Sequence, residues 1–382
     1  MRIAMIGQKG IQTGAFGGGV EKHVESIGKR LVKMGHHDVF IYARKKEMPG
    51  KGTKIDGMHI VYLSAIYTKN LEAITHTLFS TLHALFGSYD IIHYHGVGPA
   101  PLAWIPRLFL RHTRVVVTFH SQDRFHAKWS FFAKTYLYFG EWAAVHFPHA
   151  CIAVSHTLQV FCRERFHREV VYIPNGAEAR RVNSDEELRA FGLESGKYLL
   201  NVGRIVQHKG LHDLITAYEL LSKRMNQENL PKLVMVGAPS FTDAYFQTLK
   251  RQASGDSRIR FLGFQKGEKL AQLFAHAKLY VHPSEAEGLP LVILEAMSYG
   301  LPVLASDIPE NLEAMSGFAG HHAGFSFEKG NPEDLADELE ELLSDEEALH
   351  LASVRSFETV KAYFNWDMIT EHVEEVYRTV RH

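Results

Sequence analysis

The 382-residue chain has only two cysteines, Cys151 and Cys162, and no C-x-x-C pair. That is too few for a disulfide framework and suits a reducing compartment. His156 and His167 interleave with the cysteines at a spacing that matches no known zinc-ligand pattern, which argues against a metal site there. Long apolar runs are missing too. No stretch reaches the roughly 18 apolar residues that cross a bilayer, and the opening "MRIAMIGQKG" lacks the apolar run of a signal peptide. The expected location is therefore the cytoplasm, without a membrane span. Short-period repeats and low-complexity tracts are also absent, which leaves a globular chain.

What is present is apolar and unevenly charged. Hydrophobic residues make up 46% of the chain, enough for the cores of two domains or three. The net charge of −1 hides a split. Residues 1–182 carry 23 basic and 12 acidic side chains, a net of +11, and residues 183–382 carry 19 and 31, a net of −12. Such asymmetry suggests that the first half meets an anionic body, nucleic acid or a membrane surface, or that opposite charges help the halves dock. The basic half contains no recognised nucleic-acid module, so nucleic acid is not expected as a partner.

The chain opens with an apolar strand, "RIAMIG", and a glycine-rich loop, "GQKGIQTGAFGGG". A segment follows in which Val20, Val24, Ile27, Leu31 and Met34 recur at helical spacing, closed by Gly35 as a C′ glycine. Further strands are expected at "DVFIYA", "HIVYL", "DIIHYH", "RVVVTFH" and "ACIAVS". The second half repeats the plan with "KYLLNVGRI", "PKLVMVGA", "RIRFLGF", "AKLYVHPS" and "GLPVLAS" as strands and "LHDLITAYELLSKRM" and "AYFQTLKRQA" among the helices. Val/Ile-rich strands alternating with helices predict an α/β chain of two Rossmann-like, doubly wound parallel sheets. Between them "YIPNGAEARRVNSDEELRAFG" reads as a linker. Asn331 and Pro332 fit the N-cap and N1 positions of an acidic helix, and an amphipathic helix from about Trp366 to Val380 follows.

A glycine-rich βα start invites a nicotinamide-cofactor reading, but the fingerprint fails. Gly7 and Gly10 are three apart, so no G-x-G-x-x-G follows the strand. The next strand, "VFIYARKK", ends in basic residues where NAD requires an acid for its ribose, although an NADP enzyme could use them. Gly17 to Gly19 stand just before a helix, where missing side chains let a ligand approach backbone N–H groups; a plain loop cap is the other reading.

The stretch "HPSEAEGLPLVILEAMSYGLPVLASD", His282 to Asp307, places Glu287 and Glu295 in an otherwise apolar segment, with seven residues between them. Pro290 suits N1 of a helix, with Glu287 in the loop before it and Glu295 in its second turn. Ligands of open α/β sheets bind beyond the carboxyl ends of strands, so both acids can face a cleft. Backbone N–H groups at residues 288–292 would hold an anionic group such as a diphosphate, and fixed carboxylates can orient sugar hydroxyls. Glu295 could instead be a solvated helix-face acid, but Leu291, Val292, Ile293, Leu294 and Ala296 leave little polar face.

This segment resembles the nucleotide-sugar site of retaining glycosyltransferases of sequence family four, the group 1 glycosyl transferases. Further matching elements follow the family order along nearly the whole chain: "GGVEKHV" at Gly18 to Val24, "TFH" at Thr118 to His120, "IPNG" at Ile173 to Gly176, "VGRIVQHKG" at Val202 to Gly210, "FLGF" at Phe261 to Phe264 and the terminal "NWDMITEHVEEVY". The resemblance implies a GT-B fold, two facing Rossmann-like domains with an inter-domain cleft. Residues 1–178 would form an acceptor domain, 179–364 a nucleotide-sugar domain, and 365–382 a helix packing back on the first domain. The sequence departs from the pattern at Pro290, where many relatives have glycine.

By the same resemblance Arg204 and Lys209 bind the donor diphosphate. Breaking a sugar–diphosphate bond builds negative charge on the leaving group, and positive side chains must be in place to meet it. No Asp-x-Asp occurs in the chain, so no metal or other cofactor is expected. Glu287 would contact the transferred sugar, Glu295 the ribose hydroxyls, and His120 the sugar from across the cleft. A strand-end histidine bonded to backbone is the other role open to His120. Gly18, Gly19, Gly203, Gly288, Leu289, Leu291 and Val292 complete the implied donor site, with Gly263 and Phe264 beside the nucleobase. His95 and Asp123 are candidates on the acceptor side. Retention of configuration is implied, by a same-face attack in which the leaving phosphate takes the acceptor's proton; no side chain reads as a covalent nucleophile.

The expected partners are a nucleotide-sugar donor and a glycan or lipid-linked acceptor, in cell-envelope polysaccharide or glycolipid synthesis. An anionic membrane surface, on the inner face of the cell membrane, is a third. The basic loop "ARKKEMPGKGTK" and the segment "DRFHAKWSFFAKTYLYF" motivate it, where Arg124, Lys128 and Lys134 stand among Trp129, Phe131, Phe132 and Tyr136. A buried core helix is the alternative for that segment. A nucleotide-sugar epimerase of similar two-domain architecture is the competing activity.

Overall fold

The computed structural model describes all residues except 12–16, 49–51, 69–70, 123, 125–130, 227, 241, 317–321 and 382. The chain forms two compact units, Met1–Asn175 with Trp366–His382, and Gly176–Asn365.

The first unit is built on an eight-stranded sheet. Its strands in chain order are β1 (Arg2–Ile6), β2 (Asp38–Arg44), β3 (Lys54–Ile55), β4 (Met58–Leu63), β5 (Ile91–His95), β6 (Arg114–Phe119), β7 (Ala150–Ala153) and β8 (Val171–Tyr172). Their spatial order is β3-β4-β2-β1-β5-β6-β7-β8. All neighbours are parallel except the β3–β4 hairpin, and Ile3 of β1 lies between Val39 of β2 and Ile91 of β5. β5 is buried along its whole length because helices cover both faces of the sheet. Those helices are α1 (Gly19–Lys33), α2 (Glu72–Ala84), α3 (Trp104–Phe109), α4 (Phe131–His146) and α5 (His156–Phe166), with α14 (Trp366–Arg381) added from the far end of the chain. α1 buries Val24, Ile27 and Leu31, and α14 packs on it and buries Trp366, Ile369, Val373 and Tyr377. Arg30 Nε meets Asp367 Oδ1 at 2.6 Å, and Glu374 accepts from His36 and His37, each at 2.8 Å.

The second unit carries the helices α6 (Glu186–Ala190), α7 (Leu211–Arg224), α8 (Asp243–Gln252), α9 (Gly267–Ala275), α10 (Leu291–Ser298), α11 (Pro309–Met315), α12 (Pro332–Ser344) and α13 (Glu346–Tyr363). They surround a parallel sheet of β9 (Tyr198–Val202), β10 (Lys232–Val236), β11 (Ile259–Phe261), β12 (Leu279–His282), β13 (Val303–Ser306) and β14 (Phe325–Phe327), ordered β11-β10-β9-β12-β13-β14. Leu199, Leu214, Leu233, Leu279, Leu304 and Leu335 meet in its core. The expected cap of α12 is formed: Asn331 Oδ1 accepts from the Glu333 and Asp334 amides at 3.1 Å, with Pro332 as the first helical residue. The stretch read as a linker does more than connect. It contains Tyr172 of β8 and the whole of α6, which buries Leu188.

Both sheets reverse direction once. In the first, the chain winds outward from β1 to β2 and β4, then β5 starts on the other side of β1. In the second, β9 leads outward to β10 and β11, and β12 starts on the other side of β9. Ligands of open α/β sheets bind at the carboxyl ends of strands flanking such a reversal.

Candidate functional site

At the reversal of the second unit, Asn201 Nδ2 on β9 donates to Val281 O on β12 at 2.8 Å, fixing the two strands whose loops carry the charged residues. After β9 the chain makes a 3₁₀ turn at Gln207–Lys209 and enters α7 through Gly210, whose φ is +64°. A Cβ at Gly210 would lie 1.9 Å from the Pro283 carbonyl oxygen, so only glycine lets the Lys209 loop press against the loop after β12. The contact is reinforced by the Glu285 amide and the Ser284 hydroxyl, which donate to His208 O at 2.8 and 3.2 Å.

This closure brings the Lys209 ammonium onto Oε1 of Glu287, and His282 Nε2 reaches the same oxygen at 2.9 Å. The side chains of Lys209 and Glu287 are 15% and 12% exposed. Burial alone would raise the pKa of Glu287, but Lys209 and then His282 outweigh it and hold the carboxyl well below the usual carboxylate range. It is an anion at neutral pH, suited to accept hydrogen bonds. Burial keeps His282 below its ordinary value despite the carboxylate beside it. Its Nδ1 faces the Tyr280 hydroxyl at 3.2 Å, which in turn lies 3.1 Å from Val202 O.

Arg204 stands exposed on the same loop and forms no ion pair among the described residues. Room beside it comes from glycines at the strand ends. A Cβ at Gly203 or Gly263 would meet nothing within 4 Å, and one at Gly237 would lie 1.8 Å from Gly203 O. Phe264 follows Gly263 and is partly exposed. Gly288, Leu289 and Leu291 are buried, whereas Val292 and Glu295 are half-buried. Pro290 is the N-cap of α10 and not its first helical residue, because its extended backbone (ψ 100°) precedes the first helical turn at Leu291. The amides of Leu291 and Val292 make no main-chain hydrogen bond among the described residues, as expected for a first turn. His282, Tyr280, Gly210 and Gly237 were not singled out by sequence. The "YVHPS" that precedes Glu287 was the only local signal for the first two.

In the first unit Gly18 is the N-cap of α1 and Gly19 its first residue. The Gly18 amide is already occupied. It donates to Glu21 Oε2 at 2.8 Å while the Lys9 amide donates to Glu21 Oε1 at 3.0 Å, tying the glycine loop to the helix. At the sheet reversal, His95 ends β5 and His120 follows β6, and His23 projects beside them from α1. Beneath them His93 bridges Tyr377 and Thr118 at 2.6 and 2.7 Å. Burial lowers His95 and His120 well below the ordinary imidazole range, so both are neutral. Asp123 lies outside the described residues. Cys151 and Cys162 are free and buried, with Cys162 pushed up to about 12 by burial, so neither is a ready nucleophile.

Residues 17–181 match the family model for Glycosyltransferase Family 4, and residues 183–355 the model for Glycosyl transferases group 1. The gpi3 subunit of phosphatidylinositol N-acetylglucosaminyltransferase from Schizosaccharomyces pombe is 24% identical over 95% of this chain and 78% of its own. O-antigen chain mannosyltransferase B of Escherichia coli is 28% identical over about half of each chain, 50% and 48%. Among solved structures, Anabaena Alr3699/HepE, crystallised with UDP and glucose, superposes with a TM-score of 0.78 at 20% identity, covering 99% of this chain and 100% of that one. That last likeness shows the fold. With both halves matched in order and both sheets wound as described, the chain belongs to the family-four, group 1 glycosyltransferases, retaining enzymes of the GT-B fold that use nucleotide-sugar donors.

Proposed function

We propose that the chain transfers a hexose or related sugar from a nucleoside diphosphate donor, held at the sheet reversal of the second unit, to a glycan or lipid-linked acceptor. The observation that carries this reading is the Lys209–Glu287–His282 cluster, with Arg204 exposed on the Lys209 loop and in no ion pair among the described residues. A diphosphate arriving there gives the Lys209 ammonium a second anion and engages the Arg204 fork, so positive charge stands where the leaving group develops its own. Glu287, fixed as an anion, accepts hydrogen bonds from the sugar. Glu295, in the second turn of α10, is assigned the ribose hydroxyls, and the Leu291 and Val292 amides a phosphate oxygen. Gly203, Gly263 and Phe264 leave space for the base. In the first unit, neutral His120 is suited to accept from a sugar hydroxyl. The leaving phosphate takes the acceptor's proton. UDP-sugars are the first donors to test, since the similar Anabaena protein was crystallised with UDP-glucose.

The acceptor reading favours an envelope polysaccharide or glycolipid presented at an anionic membrane surface. No helix among the described residues is long and apolar enough to cross a membrane. The first unit nevertheless exposes several large apolar side chains. α2 and α4 both pack on the turn at Ala100–Leu102 that leads into α3, and Phe86 just past α2, Leu108 and Phe109 of α3, and Phe131 and Phe132 of α4 are each more than 60% exposed. Arg107, Arg111 and Lys134 lie exposed among them. The start of α4 is therefore not the buried core helix that its sequence also allowed.

A thermal-shift panel of UDP-, GDP- and dTDP-sugars identifies the donor, because ligand at ~100 times its dissociation constant stabilises by about 2.7 kcal/mol. Nucleoside diphosphate release that depends on added acceptor supports transfer. Donor isomerised without release would establish epimerisation, and no shift with any sugar nucleotide would refute the site.

A further inference from the structure

His23, His95 and His120 converge from α1, β5 and the end of β6. Their ring centroids are 4.6 Å apart for His23 and His120, and 5.6 Å apart for the other two pairs. The three are 1%, 2% and 8% exposed. One nitrogen from each lies within 4.8 Å of the other two. His95 Nδ1 stands 3.4 Å from His120 Nε2. Two imidazole ligands of a tetrahedral zinc ion, at metal–nitrogen distances of about 2.0–2.1 Å, stand roughly 3.3–3.4 Å apart.

His23 is set as a ligand is. Its Nδ1 meets Asn175 Oδ1 at 2.9 Å, which makes Nδ1 the protonated nitrogen and leaves a lone pair on Nε2. That Nε2 is buried and has no partner. A buried polar atom without a partner costs free energy that a ligand would recover. Burial also lowers His23 to about 4, so the imidazoles are in the neutral form that binds metal.

We propose that His23, His95 and His120 form a transition-metal site in the first unit, three nitrogens on one side of the ion and an open position on the other. The donor set is all imidazole, which suits Zn²⁺, Co²⁺, Ni²⁺ or Cu²⁺; Mg²⁺ and Mn²⁺ favour oxygen ligands. The site is inhibitory. It takes up the His120 nitrogen that the proposed function gives to the sugar, and this consequence alone rests on that reading.

The test uses the full chain and Co²⁺ as the probe. The expected result is one equivalent per chain with the intense visible bands of a tetrahedral site, displaced by Zn²⁺ and lost in His23→Gln and His95→Gln. His37→Gln, in the separate His36–His37–Glu374 cluster, should retain them. Should either glutamine variant unfold, X-ray absorption of the Zn²⁺-loaded wild type decides, with three nitrogen ligands at about 2.0–2.1 Å expected. Absent bands, bands that survive both substitutions, or an oxygen-dominated shell would overturn the site. Sub-millimolar Zn²⁺ should also reduce turnover at least tenfold where Mg²⁺ does not. Bound Zn²⁺ without inhibition would confirm the metal site and remove His120 from the transfer reaction.

Discussion

Replacing Glu287 with glutamine isolates the charge of the carboxylate from its shape. Lys209 Nζ and His282 Nε2 both engage Oε1, so an amide oxygen can still accept from either; what disappears is the anion. The substitution removes the ion pairing with the Lys209 ammonium and turns the charge-assisted bond from His282 into a neutral one, roughly 1 kcal/mol each, about 2 kcal/mol in all. For a unit of this size that lowers Tm by roughly 4–8 °C. The functional loss should be larger. With no anion at the sugar, kcat should fall about a hundredfold, near 2.7 kcal/mol of transition-state stabilisation, with the donor KM changed less. Glu295→Gln should do the reverse, raising the donor KM and sparing kcat. Nucleoside diphosphate release at varied donor concentration measures kcat and KM of both variants, and differential scanning calorimetry measures the folded state. A Glu287→Gln enzyme with kcat within threefold of wild type and an unchanged Tm would refute the reasoning, because the buried pair would then matter neither to the fold nor to the reaction.

Chelation should leave turnover undiminished, since Lys209 and Arg204 are assigned the charge that a divalent ion would otherwise carry; activity abolished by EDTA and restored by Mg²⁺ or Mn²⁺ would contradict that assignment. Gly210→Ala should cost about 3 kcal/mol or more, lowering Tm by roughly 6–12 °C and abolishing donor binding, because its Cβ meets Pro283 O at 1.9 Å from a backbone with φ +64°. Denaturant unfolding at pH 7 and pH 5 should show stability falling with pH. His23 and His76, each lowered to about 4 by burial, bind protons more weakly folded than unfolded, so their contribution is complete above about 6.5 and lost towards 4, about 2 kcal/mol each by pH 5. Glu374, lowered to about 2, keeps its contribution throughout that window. Co-sedimentation with liposomes should require anionic lipid and weaken at high salt, and binding indifferent to lipid charge would remove the membrane from the acceptor reading.

The parallel sheets were legible because buried parallel strands write themselves as Val/Ile runs, and "RVVVTF" or "KLVMV" admit little else. The two-residue strands β3 and β8 were not, since so short a segment has no period and is fixed by its neighbour. β14, "FSF", is three residues long and is likewise fixed by its parallel neighbour β13. Glu287 and Lys209 could be named from motifs, but their pairing joins residues 78 positions apart that only the sheet reversal brings together. The histidine cluster is a stronger case. His23 falls inside the "GGVEKHV" motif, but among 24 histidines nothing in the sequence joins it to His95 and His120; that grouping arises from where β5 and β6 end.

The first unit is interrupted: it is left at Asn175 and rejoined at Trp366. During synthesis, residues 1–175 must therefore wait while the second unit is made before α14 arrives. Until then the surface that Trp366, Ile369, Val373 and Tyr377 will cover stays wet, and His93 lacks the Tyr377 hydroxyl. The second unit, continuous along the chain, can complete itself on the ribosome first. A chain stopped just before Trp366 would thus hold a finished second unit attached to an unfinished first one, with the apolar surface of the latter offered to chaperones or to aggregation.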